Sequence, residues 1–341
     1  MKALFIGGTG TISAAIVRKL SDDPRWEVWT LNRGNRTHAL PDTVHVLKAD
    51  IHDEADAAEK LKHMNFDVVC DFIAFREEDV ARSYRLFAGR TAQYIFTSSA
   101  SAYHKPANDY IIREGTTLAN PYWQYSRDRI ACEEFLMRKY RDEAFPVTIV
   151  RPSHTYDERR IPVGVHGKNG SWQVIRRMRE GKPVIIPGDG TSLWTLTFNR
   201  DFATGYVGLM GNPRAIGEAF QITGDEVLTW NQIYATIAGA LHVPLHACHV
   251  ASDYLAAAGE KYGYHFKGEL TGDKAVSVVF DNSKLKRLVP EMATTIPFSA
   301  GVRIALPYIL THPDECQKPD PDFDAWCDKV IATLNASLNQ I

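Results

Sequence analysis

The stretch KALFIGGTGTISAAIVRKL, Lys2 to Leu20, decides how the rest of the chain is read. A short apolar run stops at two glycines, and the residues after them carry helical spacing, so a strand turns straight into a helix. Glycines at such a junction let the backbone come close to a pyrophosphate, whose charge is met by the unpaired amides of the helix N-terminus. Gly7 and Gly10 fit a G-x-x-G-x-x-G spacing, and the third position is Ser13, small enough to keep the helix near the strand. A plain turn is the alternative. The motif begins the first strand-helix unit of the chain and a second strand follows it, which favours a dinucleotide seat formed by Gly7, Thr9, Gly10, Thr11 and Ile12.

Outward from this unit, the first 150 residues alternate short β-branched runs with amphipathic stretches, the pattern of strand, crossover helix and parallel strand. The strands are expected at Lys2 to Ile6, Glu27 to Leu31, Val44 to Lys48, Asp67 to Asp71, Gln93 to Thr97 and Val147 to Arg151. Short connections force right-handed crossovers, with helices on both faces. The fold class is therefore α/β, a Rossmann-type doubly wound parallel sheet with a smaller, mostly helical C-terminal substrate domain. After Arg151 the pattern changes. ERRIPVGVHGKNGS is polar and without period, which reads as a loop region over a cleft, followed by a helix at Trp172 to Arg179 and then PVIIPGDG. FNRDFATGYVGLMG reads as a helix and AFQITG as one more strand, while TWNQIYATIAGALH is a helix capped by Thr229. The expected division is a dinucleotide-binding domain over 1–160 and a substrate-binding region over 161–341, with 196–224 returning to the first domain.

At 341 residues and 45% apolar composition, the chain is long enough to bury a large core and to divide it into two lobes. A net charge of -2 gives no global attraction to nucleic acid or to an anionic membrane. Five cysteines, odd in number and without a CxxC pair or a zinc spacing, suggest neither a disulfide framework nor a metal site. No signal-peptide core or membrane-length apolar run is visible, so the expectation is a cytoplasmic protein with no membrane partner.

The second strand ends WTLNRGNR. An acidic residue there would accept hydrogen bonds from the adenosine ribose. Here stand Asn32 and Arg33, with Arg36 nearby, and arginine suits a 2'-phosphate. The cofactor expected is NADP, with NAD as the alternative. KADIHD presents Asp50 and Ile51 to the adenine, and CDFIAF places Phe72, Ile73 and Ala74 along the cofactor.

Taken together, GGTGTIS, KADIHD, YIFTSSASAY, YSRDR, TIVRPSHTY, IIPGDGTSLW, FNRDFA and FQITG resemble, in order, the extended and atypical short-chain dehydrogenase/reductase family, specifically its NAD-dependent epimerase/dehydratase branch. The resemblance implies a Ser or Thr that polarises the reacting oxygen, a Tyr that serves as acid or base, and a Lys one turn later that binds the nicotinamide ribose. The corresponding residues are Ser99, Tyr125 and, in place of the lysine, Arg129. The resemblance also implies cofactor contacts from Tyr125, Arg129, Pro152 and Ser153, and a homodimer built on the helices that include Tyr125 to Met137.

A phenol acts as a base near neutral pH only beside a cation, and positions four apart share a helix face, so Arg129 can supply the charge. Geometry is what changes: guanidinium is planar and never gives up its proton. Where many sugar-nucleotide members of the family carry a diphosphate-binding arginine, this chain has Trp194 or its neighbour Thr195, so a phosphate clamp is gone and an aromatic face is offered. His154 lies past the sixth strand, where it could aid proton transfer or stand as an ordinary loop histidine, and Ser101 and Tyr103 flank the same cleft by sequence. The expected function is a nicotinamide-dependent oxidoreductase or epimerase/dehydratase acting on a sugar-like or other small carbonyl or alcohol substrate. The alternative is a non-catalytic NADP(H)-binding sensor or an RNA-binding protein, since the sequence also resembles the atypical branch that includes chloroplast stem-loop-binding proteins. The near-neutral charge weighs against RNA.

Overall fold

The computed structural model describes residues 1–34, 40–338 and 340. Arg36, expected near the ribose, lies outside them. Seven strands form one all-parallel sheet: β1 (Lys2–Ile6), β2 (Glu27–Asn32), β3 (His45–Lys48), β4 (Phe66–Asp71), β5 (Thr91–Thr97), β6 (Val147–Pro152) and β7 (Ala219–Ile222). Their spatial order is β7-β6-β5-β4-β1-β2-β3. The central strands read as unbroken apolar runs because both faces are covered. Ala3, Leu4, Phe5 and Ile6 have no exposed surface, and Val68, Val69 and Cys70 match them on β4. At the sheet edge, His45 and Val46 of β3 are exposed.

The first seven helices in chain order are α1 (Ser13–Ser21), α2 (Glu54–Leu61), α3 (Glu77–Phe87), α4 (Gln124–Glu143), α5 (Trp172–Arg179), α6 (Asn199–Leu209) and α7 (Trp230–Leu241). Ile16, Val17 and Leu20 of α1 share a core with Phe202, Tyr206 and Leu209 of α6 on one face of the sheet. Residues of α2, α3 and α4, among them Leu61, Val80, Cys132 and Leu136, cover the other face. Leu285, Val289 and Met292 also join the α1–α6 side. The chain leaves β1 toward β2 on one side and returns to β4 on the other, so the carboxyl ends of β1 and β4 bound the crevice where open α/β sheets bind ligands.

A second core, with Trp230, Tyr234, Ile237 and Trp326 at its centre, is built by α5, α7, helices Phe298–Thr311 and Pro321–Leu338, and a three-stranded sheet of His154–Tyr156, Leu193–Phe198 and Val227–Thr229. Thr229 caps α7 as expected, its hydroxyl accepting from the Gln232 amide at 3.2 Å while the Gln232 side chain accepts from the Thr229 amide at 2.8 Å. The stretch after β6 differs from its reading as a polar cover. Ile161, Val163 and Val165 are buried in this second core, so the segment is anchored by alternating aliphatic side chains. Among the described residues no helix is long and apolar enough to cross a membrane.

Candidate active site

The glycine loop after β1 opens a trough of about 570 Å³ along the carboxyl ends of the strands. Gly7 adopts φ +86°, and a Cβ there would come within 2.5 Å of Ile73 Cγ1, so only glycine fits. Ser13, in the position of a third glycine, is buried, and its hydroxyl donates to the Gly7 carbonyl at 2.6 Å and accepts from the Gly10 amide at 3.0 Å. It pins the loop. Ile12 precedes α1 and offers no side-chain cap; the Ala14 amide donates to the Gly10 carbonyl at 3.0 Å, and the positive end of the helix faces the trough. Thr9, Gly10, Thr11 and Ile12 line this part of the trough with Phe72 and Ile73.

A second hollow of about 480 Å³ continues from Gly7, Thr9 and Ile73 to Asn32, Arg33, Asp50 and Ile51. The Asn32 side chain is engaged, accepting from the Gly34 amide at 2.8 Å and donating to Thr30 Oγ1 at 3.2 Å. Arg33 is exposed at the rim. Two buried polar atoms among the residues that line the main trough, Arg129 Nε and Thr97 Oγ1, have no hydrogen-bond partner among the described residues. Unsatisfied donors, a glycine cradle and an uncapped helix start together fit a dinucleotide lying from Arg33 to Tyr125.

At the far end of the trough stand Ser99, Tyr125 and Arg129 with Pro152 and Ser153. The N-terminus of α4 delivers Tyr125 and, one turn on, the buried Arg129. The Arg129 guanidinium carbon lies 5.0 Å from the centre of the Tyr125 ring and 4.3 Å from that of Phe75, and its Nη1 donates to the Ala74 carbonyl. The charge therefore sits beside the phenol, held by the loop after β4. Ser99 Oγ pairs with Ser101 Oγ at 2.9 Å, and the fully buried Ser126 donates to Ser101 Oγ at 2.9 Å. Ser126 and Phe75 were not singled out from the sequence; their only signal was proximity to Tyr125 and to Phe72.

Beyond Ser99 and Tyr125 opens a cavity of about 380 Å³, lined also by Ser101, His154 and Trp194. Trp194 is mostly buried and stacks on Trp230, with ring centres 5.5 Å apart. Its indole N–H donates to His154 Nδ1 at 3.3 Å, which places the imidazole proton on Nε2. Burial, aided by the nearby charges of Lys274, His166 and Arg160, pushes His154 down to about 3, so it is neutral at physiological pH.

Two expected contacts lie elsewhere. Tyr103 is fully buried, its hydroxyl donating to Gln221 Oε1 at 3.0 Å and accepting from Arg151 at 3.3 Å, so it does not reach the cavity. Ala74 is buried outside the trough, and only its carbonyl takes part, through Arg129. The cavity wall holds groups the sequence did not announce: Lys105, Trp123, His166, Glu269, Asp273 and Lys274. The last three sit on the π-helical segment Lys267–Lys274, which carries no motif. Among the described residues no cluster of His, Cys, Asp and Glu could hold a metal ion.

Comparison with known proteins bears on this arrangement. The 2'-dehydrokanamycin reductase of Streptomyces kanamyceticus is 26% identical over 291 residues, covering 85% of this chain and 79% of the relative. The chloroplast stem-loop binding protein of 41 kDa b of Arabidopsis thaliana is 26% identical over 194 residues, but these span only 48% of its length. Among solved structures, that of Pal from Bacillus thuringiensis superposes with a TM-score of 0.73 at 20% identity, covering 91% of this chain and 99% of that one. UDP-glucuronic acid 4-epimerase from Bacillus cereus, in complex with UDP-glucuronic acid and NAD, superposes with a TM-score of 0.72 at 18% identity over 91% and 99% of the chains. At these identities the structures speak for the fold alone. The NAD dependent epimerase/dehydratase family matches residues 3–88 and 79–223, most of the chain and all of the trough's glycine loop, Ser99, Tyr125 and Arg129, and the chain belongs to that family.

Proposed function

We propose that the protein is a nicotinamide-dependent oxidoreductase, or an epimerase/dehydratase of the same chemistry, acting on a small sugar-like carbonyl or alcohol with Tyr125 as acid/base. The observation that carries this reading is that Ser99 and Tyr125 line both the dinucleotide trough and the adjoining cavity. A bound nicotinamide supplies or takes hydride at its ring, and the chain does the rest. The Tyr125 hydroxyl gives its proton to the carbonyl oxygen as an alcohol forms, or accepts it in the reverse direction. The Ser99 hydroxyl, backed by Ser101 and Ser126, holds the same oxygen. Arg129, in the place of the usual lysine, steadies negative charge on the phenol without giving up a proton. NADP is the cofactor of this reading, with Arg33 at the 2'-phosphate. A relative named as a reductase, matched over 85% of this chain, supports net reduction over internal epimerisation.

Tyr125→Phe removes only the phenol. Turnover, followed anaerobically through the absorbance of reduced nicotinamide with a panel of keto sugars, is expected to fall by about 10² or more while cofactor affinity holds. Unchanged turnover would refute the acid/base role. Product formed with no net change in that absorbance would assign the epimerase/dehydratase form.

A further inference from the structure

The cavity beyond Tyr125 holds charges that the acid/base chemistry does not use. Lys105 is 2% exposed and lines the cavity, yet among the described residues its ammonium has no hydrogen-bond or ion-pair partner; burial lowers its pKa, against the pull of Asp273. Asp273 lines the same cavity and is likewise without a hydrogen bond to its carboxylate. Burial pushes Asp273 up to about 6, against the pull of Lys105 and Lys274. Beside them Lys274 pairs with Glu269 at 3.6 Å and is mostly buried. Two lysines and two carboxylates therefore line one small space, and one ammonium and one carboxylate are left with their hydrogen-bonding capacity unspent.

Such a pair makes opposite demands. The ammonium needs a lone pair and the carboxylate needs an O–H or N–H. A phosphate or carboxylate on the ligand would satisfy Lys105 and be repelled by Asp273; an amine would do the reverse. Adjacent hydroxyls satisfy both, since each accepts and donates. The aromatic faces of Trp123 and Trp194 in the same cavity suit the C–H face of a saturated ring. The segment that carries Glu269 and Asp273 is also fixed against Trp123: a Cβ on Gly268 would clash with the Trp123 ring, and one on Gly272 would come within 3.1 Å of Trp123 Cβ. The acceptor and the flat face thus belong to one wall, and Lys105 lines the same cavity.

We infer that the substrate is a neutral, polyhydroxylated ring whose adjacent hydroxyls are gripped by Lys105 and Asp273, rather than an ionised or nucleotide-linked sugar. This rests on the proposed oxidoreductase site and names its substrate class. The test is calorimetry on protein saturated with NADPH, using methyl glycosides of glucose, galactose and mannose as neutral probes, with glucuronate, glucosamine and UDP-glucose as charged ones. At least one neutral glycoside should bind tenfold or more tightly than every charged probe. Lys105→Met should weaken that binding tenfold or more and raise the relative affinity for glucosamine, while Asp273→Asn should weaken it and favour glucuronate. Unchanged NADPH affinity in both variants shows an intact fold, and the wild-type ranking decides the question where a variant fails to fold. Tighter binding of any charged probe, binding of none of the probes, or variants that leave the ranking unchanged would overturn the inference. Failure of the acid/base reading is separate, because Tyr125→Phe affects turnover and leaves the charge ranking in place.

Discussion

Lowering the pH from 7 to 5 probes the cavity wall without any substrate. In the unfolded chain His154 titrates near 6.5; in the fold, burial and then the charges of Lys274, His166 and Arg160 hold it at about 3. A folded-state value below the unfolded one means that the unfolded chain takes up the proton first. The stability contributed by the neutral imidazole is therefore full above pH 6.5 and is lost as the pH falls toward 3. Integrating that proton difference from pH 7 to pH 5 gives a loss of about 2 kcal/mol. One side of the ring meets the open cavity, so screening reduces the expected figure to about 1–2 kcal/mol. Asp273 acts in the opposite sense, since its folded value of about 6 exceeds its unfolded 3.8 and the native state binds the extra proton between them. The wild-type slope is a sum of such terms, and substitution removes one of them. His154→Asn keeps an acceptor for the Trp194 indole and does not titrate. Urea unfolding followed by tryptophan fluorescence at pH 7 and pH 5 should show the wild type losing about 1–2 kcal/mol more than His154→Asn over that interval. Equal losses would refute the claim that the fold excludes the imidazolium. His166, lowered for the same reason of burial, acts on His154, so the difference between the two proteins reports the titration of the pair; His166→Asn in both backgrounds isolates His154.

Two further outcomes are expected elsewhere in the molecule. Arg33→Ser should raise the dissociation constant for NADPH by about 10- to 100-fold, the loss of one charge-assisted phosphate contact, and leave that for NADH unchanged; a wild-type preference for NADH would reject the NADP assignment. Glu133 and Arg151 form a buried pair at 2.6 Å that ties α4 to β6, with Arg151 also bonded to Tyr103 and to the Glu114 carbonyl. Glu133→Ala should cost about 3–5 kcal/mol in urea unfolding by stranding the guanidinium, and Glu133→Leu with Arg151→Met should recover most of it; a single-variant loss below about 1 kcal/mol would contradict this.

The sheet was legible because its signal is local and redundant. ALFI, VVC and IV are apolar on both faces, and the glycines after the first run mark its end. Boundaries shifted by a residue or two, as at Val44, which approaches β3 without joining it, and Phe66, which adds a residue to the start of β4. The segment after β6 is a loop beside the cavity, as its composition suggests, but its anchoring is hidden in the sequence because the buried Ile161, Val163 and Val165 alternate over only five positions within an otherwise polar and glycine-bearing stretch. The glycine loop is local, since Gly7 follows directly on β1, whereas Ser99, Tyr125 and Arg129 are indicated in the sequence through the family resemblance; the fold brings all four to one trough. Tyr103 was placed by its neighbours in TSSASAY, but its side chain turns to Gln221 and Arg151, whose identities lie far along the chain. Lys105 and Asp273 escaped notice because they meet only through tertiary structure. The loop after β5 and the Lys267–Lys274 segment are joined by Asn120, whose amide donates to the Ser101 carbonyl at 2.9 Å and to the Gly272 carbonyl at 2.7 Å. No periodicity announces such a clamp.

An arginine at position 129 also accounts for a detail of the loop after β4. A guanidinium can lie flat on Phe75 and at the same time direct an N–H to the Ala74 carbonyl, whereas an ammonium, a compact point charge, cannot span both. Arg129 thereby fastens that loop to α4, with Ala74 drawn inward and Phe75 left as a wall of the trough. A cation stands beside Tyr125, but a group that never releases its proton cannot pass one on. Nor can the hydroxyl series do so to bulk water, because Ser126, its inner end, has no exposed surface. The series Ser126 to Ser101 to Ser99 acts instead as a fixed row of dipoles. In the proposed reaction it polarises the substrate oxygen, and the proton that Tyr125 gives must be replaced from the cavity or trough side, where the residue is only partly buried.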